Sequence, residues 1–129
     1  MVIDSSALIS ILNKEPERPV FERAIRLAPT RLLGAGGLVE TSIVVLSRQR
    51  EPGLAILNRL LIDMRVEIVP VSTDHARLAI DAFRRFGKGR HPAGLNFGDC
   101  FSYALAKATG LPLLFKGGDF AKTDIAPAV

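Results

Sequence analysis

Apolar and polar positions along this chain change period repeatedly, and the changes mark its elements. Met1-Val2-Ile3 is a short apolar run closed by Asp4, which predicts a buried strand over 1–4. Leu8, Ile9, Ile11 and Leu12 then follow helical spacing in "SSALISILNKE", ended by Pro16. A second helix is expected in "RPVFERAIRLA", where Val20, Phe21, Ala24, Ile25 and Ala28 share one face and Pro19 suits the first turn. "RLLGA" predicts a short strand. "GLVETSIVVLSRQRE" predicts a helix, although its β-branched residues leave strand open by propensity. "EPG" breaks the chain, "LAILNRLLIDM" returns to helix, and "VEIVPV" predicts a strand.

The last third carries clear punctuation. Ser72 and Thr73 cap a helix that stops at Gly87, and "KGRHPAG" is a loop. Asn96 caps another helix, Gly110 closes it, and Pro112 prevents continuation. "PLLF" predicts a final core strand and "KGGDF" a turn. Strands separated by helices imply an α/β fold, a parallel central sheet flanked by helices on both faces. A length of 129 residues suits one domain over 1–129. In such sheets ligands bind beyond the carboxyl ends of the strands. Asp4 and Asp119 both fall just after predicted strands.

Composition narrows the chemistry. The chain is 48% hydrophobic and 23% charged, with no apolar run long enough to span a bilayer. The start "MVIDSS" lacks the basic region of a signal peptide. A single cysteine, Cys100, forbids an intrachain disulfide, so a cytoplasmic setting is expected. A formal charge of +4 and a pI near 9.7 favour polyanionic partners such as nucleic acid. Sparse aromatics and the absence of Trp argue against extended base-stacking platforms.

Of the 13 acids, most sit in polar stretches, and four do not. Asp4 follows "MVI", Glu40 lies inside "GLVETSIVVL", Asp99 inside "NFGDCFSYAL", and Asp119 in "LLFKGGDF". Each has a local reading. Asp4 can cap the helix starting at Ser5, Asp99 suits the positive end of a helix, Asp119 suits a turn, and Glu40 can face solvent. Together they suggest a site for a hard divalent cation, because a buried carboxylate is costly unless paired, and oxygen ligands suit Mg²⁺ or Mn²⁺. Basic residues Arg84, Arg85, Lys88 and Arg90, with His91, precede the Asp99 segment. They read either as a solvated helix end and loop or as contacts to RNA phosphate. Lys116 meets a phosphate or pairs with an acid. His75 reads as a helix-start residue, and Cys100 as core packing. The apolar faces of "ALISILNK" and "FERAIRLA" hint at a partner groove, with core packing as the alternative.

The segments "MVIDSSALISIL", "LVETSIVV" and "GKGRHPAGLNFGDCFSYALAKATGLPLLFKGGDFAKTDI" together resemble the PIN-domain ribonucleases, and within them the VapC toxins of toxin–antitoxin pairs. The resemblance spans essentially the whole chain. It implies that Asp4, Glu40, Asp99 and Asp119 are the metal-binding and catalytic acids, and that Ser6 supplies the family's hydroxyl after the first acid. It implies a metal-dependent endoribonuclease using Mg²⁺, with Mn²⁺ as substitute. It also implies a homodimer, a cognate antitoxin covering the active site, and a higher toxin–antitoxin assembly. The chain departs from the family pattern at Lys116 and Gly117, where many members carry Thr or Ser and Asn or Asp. Gly36 and Gly37 likewise stand where Ser or Thr is common. Two other classes fit acids on a parallel sheet: a Mg²⁺-binding phosphoacceptor domain of the response-regulator type using Lys116, and a catalytically inactive binding module. The phosphoacceptor class expects paired acids after the first strand and an acid after a middle strand, and "VIDSS" and "VEIVPV" supply neither.

Overall fold

The computed structural model describes residues 1–129. Four strands form one parallel sheet: β1 (Val2–Ile3), β2 (Leu32–Gly34), β3 (Glu67–Val69) and β4 (Leu113–Leu114), in the order β3-β2-β1-β4. Val2 stands opposite both Leu32 and Leu113. Five helices connect them: α1 (Ser5–Leu12), α2 (Arg18–Leu27), α3 (Ala35–Asp63), α4 (Thr73–Phe86) and α5 (Phe97–Thr109). A short 3₁₀ turn, Phe120–Lys122, follows β4. No helix is long and apolar enough to cross a membrane.

The two-residue period of a strand explains the layers. Ile3, Leu33 and Leu114 point into one core with Leu8, Ile11, Phe21, Ile25, Val45 and Leu57 from α1, α2 and α3. Their chain neighbours Val2, Leu32 and Leu113 point into a second core with Ala79, Ala82, Tyr103 and Leu105 from α4 and α5. Both faces of the sheet are therefore covered at β1, β2 and β4, whose paired residues are apolar for that reason, while the edge strand β3 leaves Glu67 and Ile68 exposed.

Two helices differ from expectation. Helix α1 ends at Leu12 rather than Glu15, because Lys14 adopts a left-handed φ of 57°. The early end frees Glu15 and Glu17 to turn toward β4. The region 35–63 is helical almost throughout, and the break at "EPG" is a single residue: Arg50, with φ 57° and ψ −156°. Pro52 then sits in the first turn after the break, where its missing N–H costs nothing.

Candidate active site

The chain runs from β1 to β2 and β3 on one side of β1 and returns to β4 on the other. Open α/β sheets bind ligands at such a reversal, here beyond the carboxyl ends of β1 and β4. Asp4 is the first residue beyond β1 and is 1% exposed. It caps α1, accepting from Ser6 N–H at 2.9 Å. The Ser6 hydroxyl donates to the same oxygen, Oδ2, at 2.5 Å. Ser102, on α5, donates its hydroxyl to Oδ1 at 2.6 Å. Hydrogen bonds to an ionised acceptor are the stronger kind, and three of them offset the loss of water around this carboxylate. Hydroxyl donors thus already accommodate the buried acid, a role that burial alone had suggested for a cation.

Glu40 stands in the second turn of α3, which follows β2 directly. Ser5 donates to its Oε2 at 2.9 Å. Burial pushes the Glu40 carboxyl above its ordinary range; the Ser5 bond opposes this, and the Asp4 charge adds to it. Its carboxylate lies over the first turn of α5 at Gly98. A Cβ there would stand 2.6 Å from Glu40 Cδ, so only glycine leaves room for this approach.

Asp99 completes a capping box. Its backbone N–H donates to Asn96 Oδ1, and its Oδ2 accepts from the Asn96 N–H, both at 2.9 Å. Its pKa is pushed up to about 6, first by burial, with the charges of Asp4, Glu40 and Asp119 adding and the Asn96 bond opposing. The local capping role and the clustering therefore coexist in one side chain. Asp119 is exposed in the turn after β4, accepts no side-chain cap bond, and acts on Asp99 through its charge.

The donor set is four carboxylates with no imidazole or sulfur among them, the chemistry of a hard oxygen site. The negative charges already strain one another at Asp99, which a cation would relieve. As placed, no three of these side chains stand close enough to share one ion. Each is held by its own hydrogen-bond donors: Asp4 by Ser6 and Ser102, Glu40 by Ser5, Asp99 by Asn96.

The basic residues divide. The Lys116 ammonium pairs with Glu15 at 2.5 Å and Glu17 at 3.1 Å, while its backbone N–H donates to Ser6 Oγ at 3.0 Å. Arg84 pairs with Asp81 at 3.0 Å. Arg85 bonds the Tyr103 hydroxyl at 3.2 Å and Asp124 at 3.3 Å. Asp124 also accepts from Tyr103 at 2.7 Å and Lys107 at 2.8 Å. Burial acts to raise Asp124, but these donors win and hold it at about 2. Arg90 lies 5.6 Å from the centre of the Phe83 ring. None of Arg84, Arg85, Lys88 and Arg90 makes an ion pair or hydrogen bond to the four acids.

His91 serves its own loop, its Nδ1 accepting from Ala93 N–H at 3.0 Å and its ring set edge-on to Phe86. The His75 backbone N–H is capped by Ser72 Oγ at 3.1 Å. Cys100 is buried, and burial, with the Asp99 charge adding, raises its thiol to about 11, so it packs rather than reacts. The apolar face of α1 is core, through Ala7, Leu8 and Ile11, whereas α2 leaves Val20 and Leu27 exposed. Sequence reasoning passed over Ser5, Ser102 and Gly98. The spacing of Ser102, one helical turn after Asp99, was the available signal.

A parallel sheet of this order, with acids gathered at its β1–β4 edge, defines a class. A family model described as PIN domain matches residues 1–126, and the chain belongs to that family. Within it, the chain stands among the VapC ribonucleases. It is 52% identical over 126 residues to a Ribonuclease VapC of Mycolicibacterium smegmatis, covering 98% of both chains. It is 50% identical to Ribonuclease VapC30 of Mycobacterium tuberculosis, over 98% of this chain and 96% of that one. The fold matches the crystal structure of M. tuberculosis VapC20, described as a Sarcin-Ricin loop cleaving toxin, with a TM-score of 0.77 and 16% identity over 97% and 95% of the two chains. It also matches a chain of a toxin–antitoxin complex from Klebsiella pneumoniae, with a TM-score of 0.69 and 18% identity over 95% and 92%.

Proposed function

We propose that this protein is the toxin of a toxin–antitoxin pair, an endoribonuclease that hydrolyses RNA phosphodiesters with a divalent cation, Mg²⁺ or Mn²⁺. One observation carries the reading: acids Asp4, Glu40 and Asp99 at the β1–β4 edge of a chain about half identical, end to end, to VapC ribonucleases. Asp4, Glu40 and Asp99 would hold the cation, with Asp119 at the open side. When bound, the cation activates water and offsets charge developing on the phosphate. Ser6 and Ser5 donate to Asp4 and Glu40 and fix the directions of these carboxyl groups. With water rather than the neighbouring 2′-OH as the nucleophile, the products carry 5′-phosphate and 3′-OH ends.

An acidic site repels RNA, so phosphate contacts come from its surroundings. Lys88 and Arg90, free of ion pairs, serve this role best; Arg84 and Arg85 join it while held by Asp81 and Asp124. Ser6 and Lys116 position the substrate side of Asp4. The phosphoacceptor reading is disfavoured, because Lys116 is neutralised by Glu15 and Glu17 and no acid ends β3. A second copy of the chain fits the apolar surface formed by Val39, Ile43, Ile80, Phe83 and Phe97, the last 81% exposed. The antitoxin covers the site of the assembled toxin in the cytoplasm, and copies of the pair build a larger assembly.

Cleavage of a structured RNA pool by purified, antitoxin-free protein tests the activity. Cutting should require Mg²⁺ or Mn²⁺ and vanish with EDTA or in Asp99→Asn. Cyclic 2′,3′-phosphate ends, or cutting that survives EDTA, would refute the chemistry. Light scattering of Phe97→Asp tests the dimer, which should fall to monomer.

A further inference from the structure

Two serines hold the two oxygens of Asp4, and they come from opposite sides. Ser6 belongs to the same turn as Asp4. Lys116 N–H donates to Ser6 Oγ, so the Ser6 proton is committed to Asp4 Oδ2. Ser102 comes from α5, 98 positions away, and its hydroxyl reaches Oδ1 while itself buried. Ser102 lies one turn beyond Asp99, so the two side chains leave α5 on the same face. No other side-chain hydrogen bond joins α5 to the β1–α1 segment. A carboxylate oxygen has two acceptor directions; Ser102 takes one at Oδ1 and leaves the other.

We propose that Ser102 is a positioning residue for the acid site: its hydroxyl aims Asp4 and fixes it relative to Asp99, so that both meet one divalent cation. The assignment rests on the reading of these acids as cation ligands. It adds a residue that touches neither the cation nor RNA. Without the Ser102 donor, Asp4 turns toward whichever donor or water is nearest, and the two carboxylates lose their common alignment. Partners that orient metal ligands in this way change affinity by about 10–100-fold when removed.

The test is Mn²⁺ binding to the full chain, read from the free-ion signal in electron paramagnetic resonance, with thermal unfolding beside it. Wild type, Ser102→Ala, Ser102→Cys and Thr109→Ala are compared. Cysteine keeps the shape of the serine with a somewhat larger atom and only a weak donor. Thr109 bonds Leu105 O on the same helix, away from the acids, and controls for general loosening of α5. Ser102→Ala and Ser102→Cys should weaken Mn²⁺ binding at least about tenfold, while Thr109→Ala binds as wild type. If Ser102→Ala does not fold, Ser102→Cys decides. Wild-type affinity in the Ser102 variants, with only a lowered melting temperature, would overturn the assignment and make Ser102 a core residue. Wild type that binds no Mn²⁺ would overturn the cation reading itself, and this inference with it; that outcome is read before any variant is measured.

Discussion

Asp99 should destabilise the metal-free protein at neutral pH, and its replacement should show this directly. Its pKa rises from 3.8 to about 6 on folding, through burial and then the charges of Asp4, Glu40 and Asp119. The folded protein therefore holds its proton more tightly than the unfolded chain does. Stability is unpenalised below the unfolded value, falls as pH rises, and carries the full penalty above the folded value. A rise of this size corresponds to roughly 3 kcal/mol. Because the group is only partly buried, solvent screening reduces this to about 1–2 kcal/mol. Asp99→Asn keeps an oxygen for the Asn96 N–H and removes the charge. In EDTA at pH 7.5 it should be more stable than wild type by about 1–2 kcal/mol, a rise of roughly 3–8 °C in melting temperature. At pH 4.5 the advantage should shrink to about a third, since most of the penalty has not yet appeared. Mg²⁺ or Mn²⁺ should then raise the melting temperature of wild type and leave that of Asp99→Asn nearly unchanged. An Asp99→Asn protein less stable than wild type at pH 7.5, or a difference that does not vary with pH, would refute the electrostatic account of the cluster.

Other perturbations separate stability from function elsewhere. Gly98→Ala should gain about 1 kcal/mol of helix propensity or lose little, yet displace Glu40 and lower metal-dependent cleavage about tenfold; calorimetry and RNA cleavage on one preparation check both. Arg50→Gly should stabilise by about 1 kcal/mol in urea unfolding, because the left-handed strain at the α3 break exceeds the entropy a glycine adds. Asp124→Asn should lower stability by about 1 kcal/mol at pH 7, and the difference from wild type should fade as pH drops from 4 toward 2, where Asp124 itself is protonated. Lys88→Ala with Arg90→Ala should weaken RNA binding and flatten its salt dependence, while Arg85→Ala should act mainly on stability, since its guanidinium belongs to Tyr103 and Asp124.

The chain's elements and their ends were legible because the forces that set them act within a few residues. Asn96 and Asp99 cap α5 through their own backbone, Gly110 closes it with a φ of 68°, and Ser72 caps α4. The alternation at Val2-Ile3, Leu32-Leu33 and Leu113-Leu114 follows from strands buried on both faces. Four acids out of place in apolar stretches stood out because an ionised group among apolar neighbours needs an explanation; parallel topology gave a sheet-edge location to Asp4 and Asp119, and the family resemblance added Glu40 and Asp99 on their helices. What each acid holds was decided only in three dimensions. Ser5 reaches Glu40 across 35 positions and Ser102 reaches Asp4 across 98. Serines are too common for sequence to single out these two. Lys116 and Arg85 were also indistinguishable in sequence from free cations, until the early end of α1 brought Glu15 and Glu17 to one and the C-terminal segment brought Asp124 to the other. Local chemistry sets where a carboxylate can sit; the packing of distant elements sets which donors face it, because hydrogen bonds and ion pairs act only over a few ångströms and the chain must fold to bring partners that close.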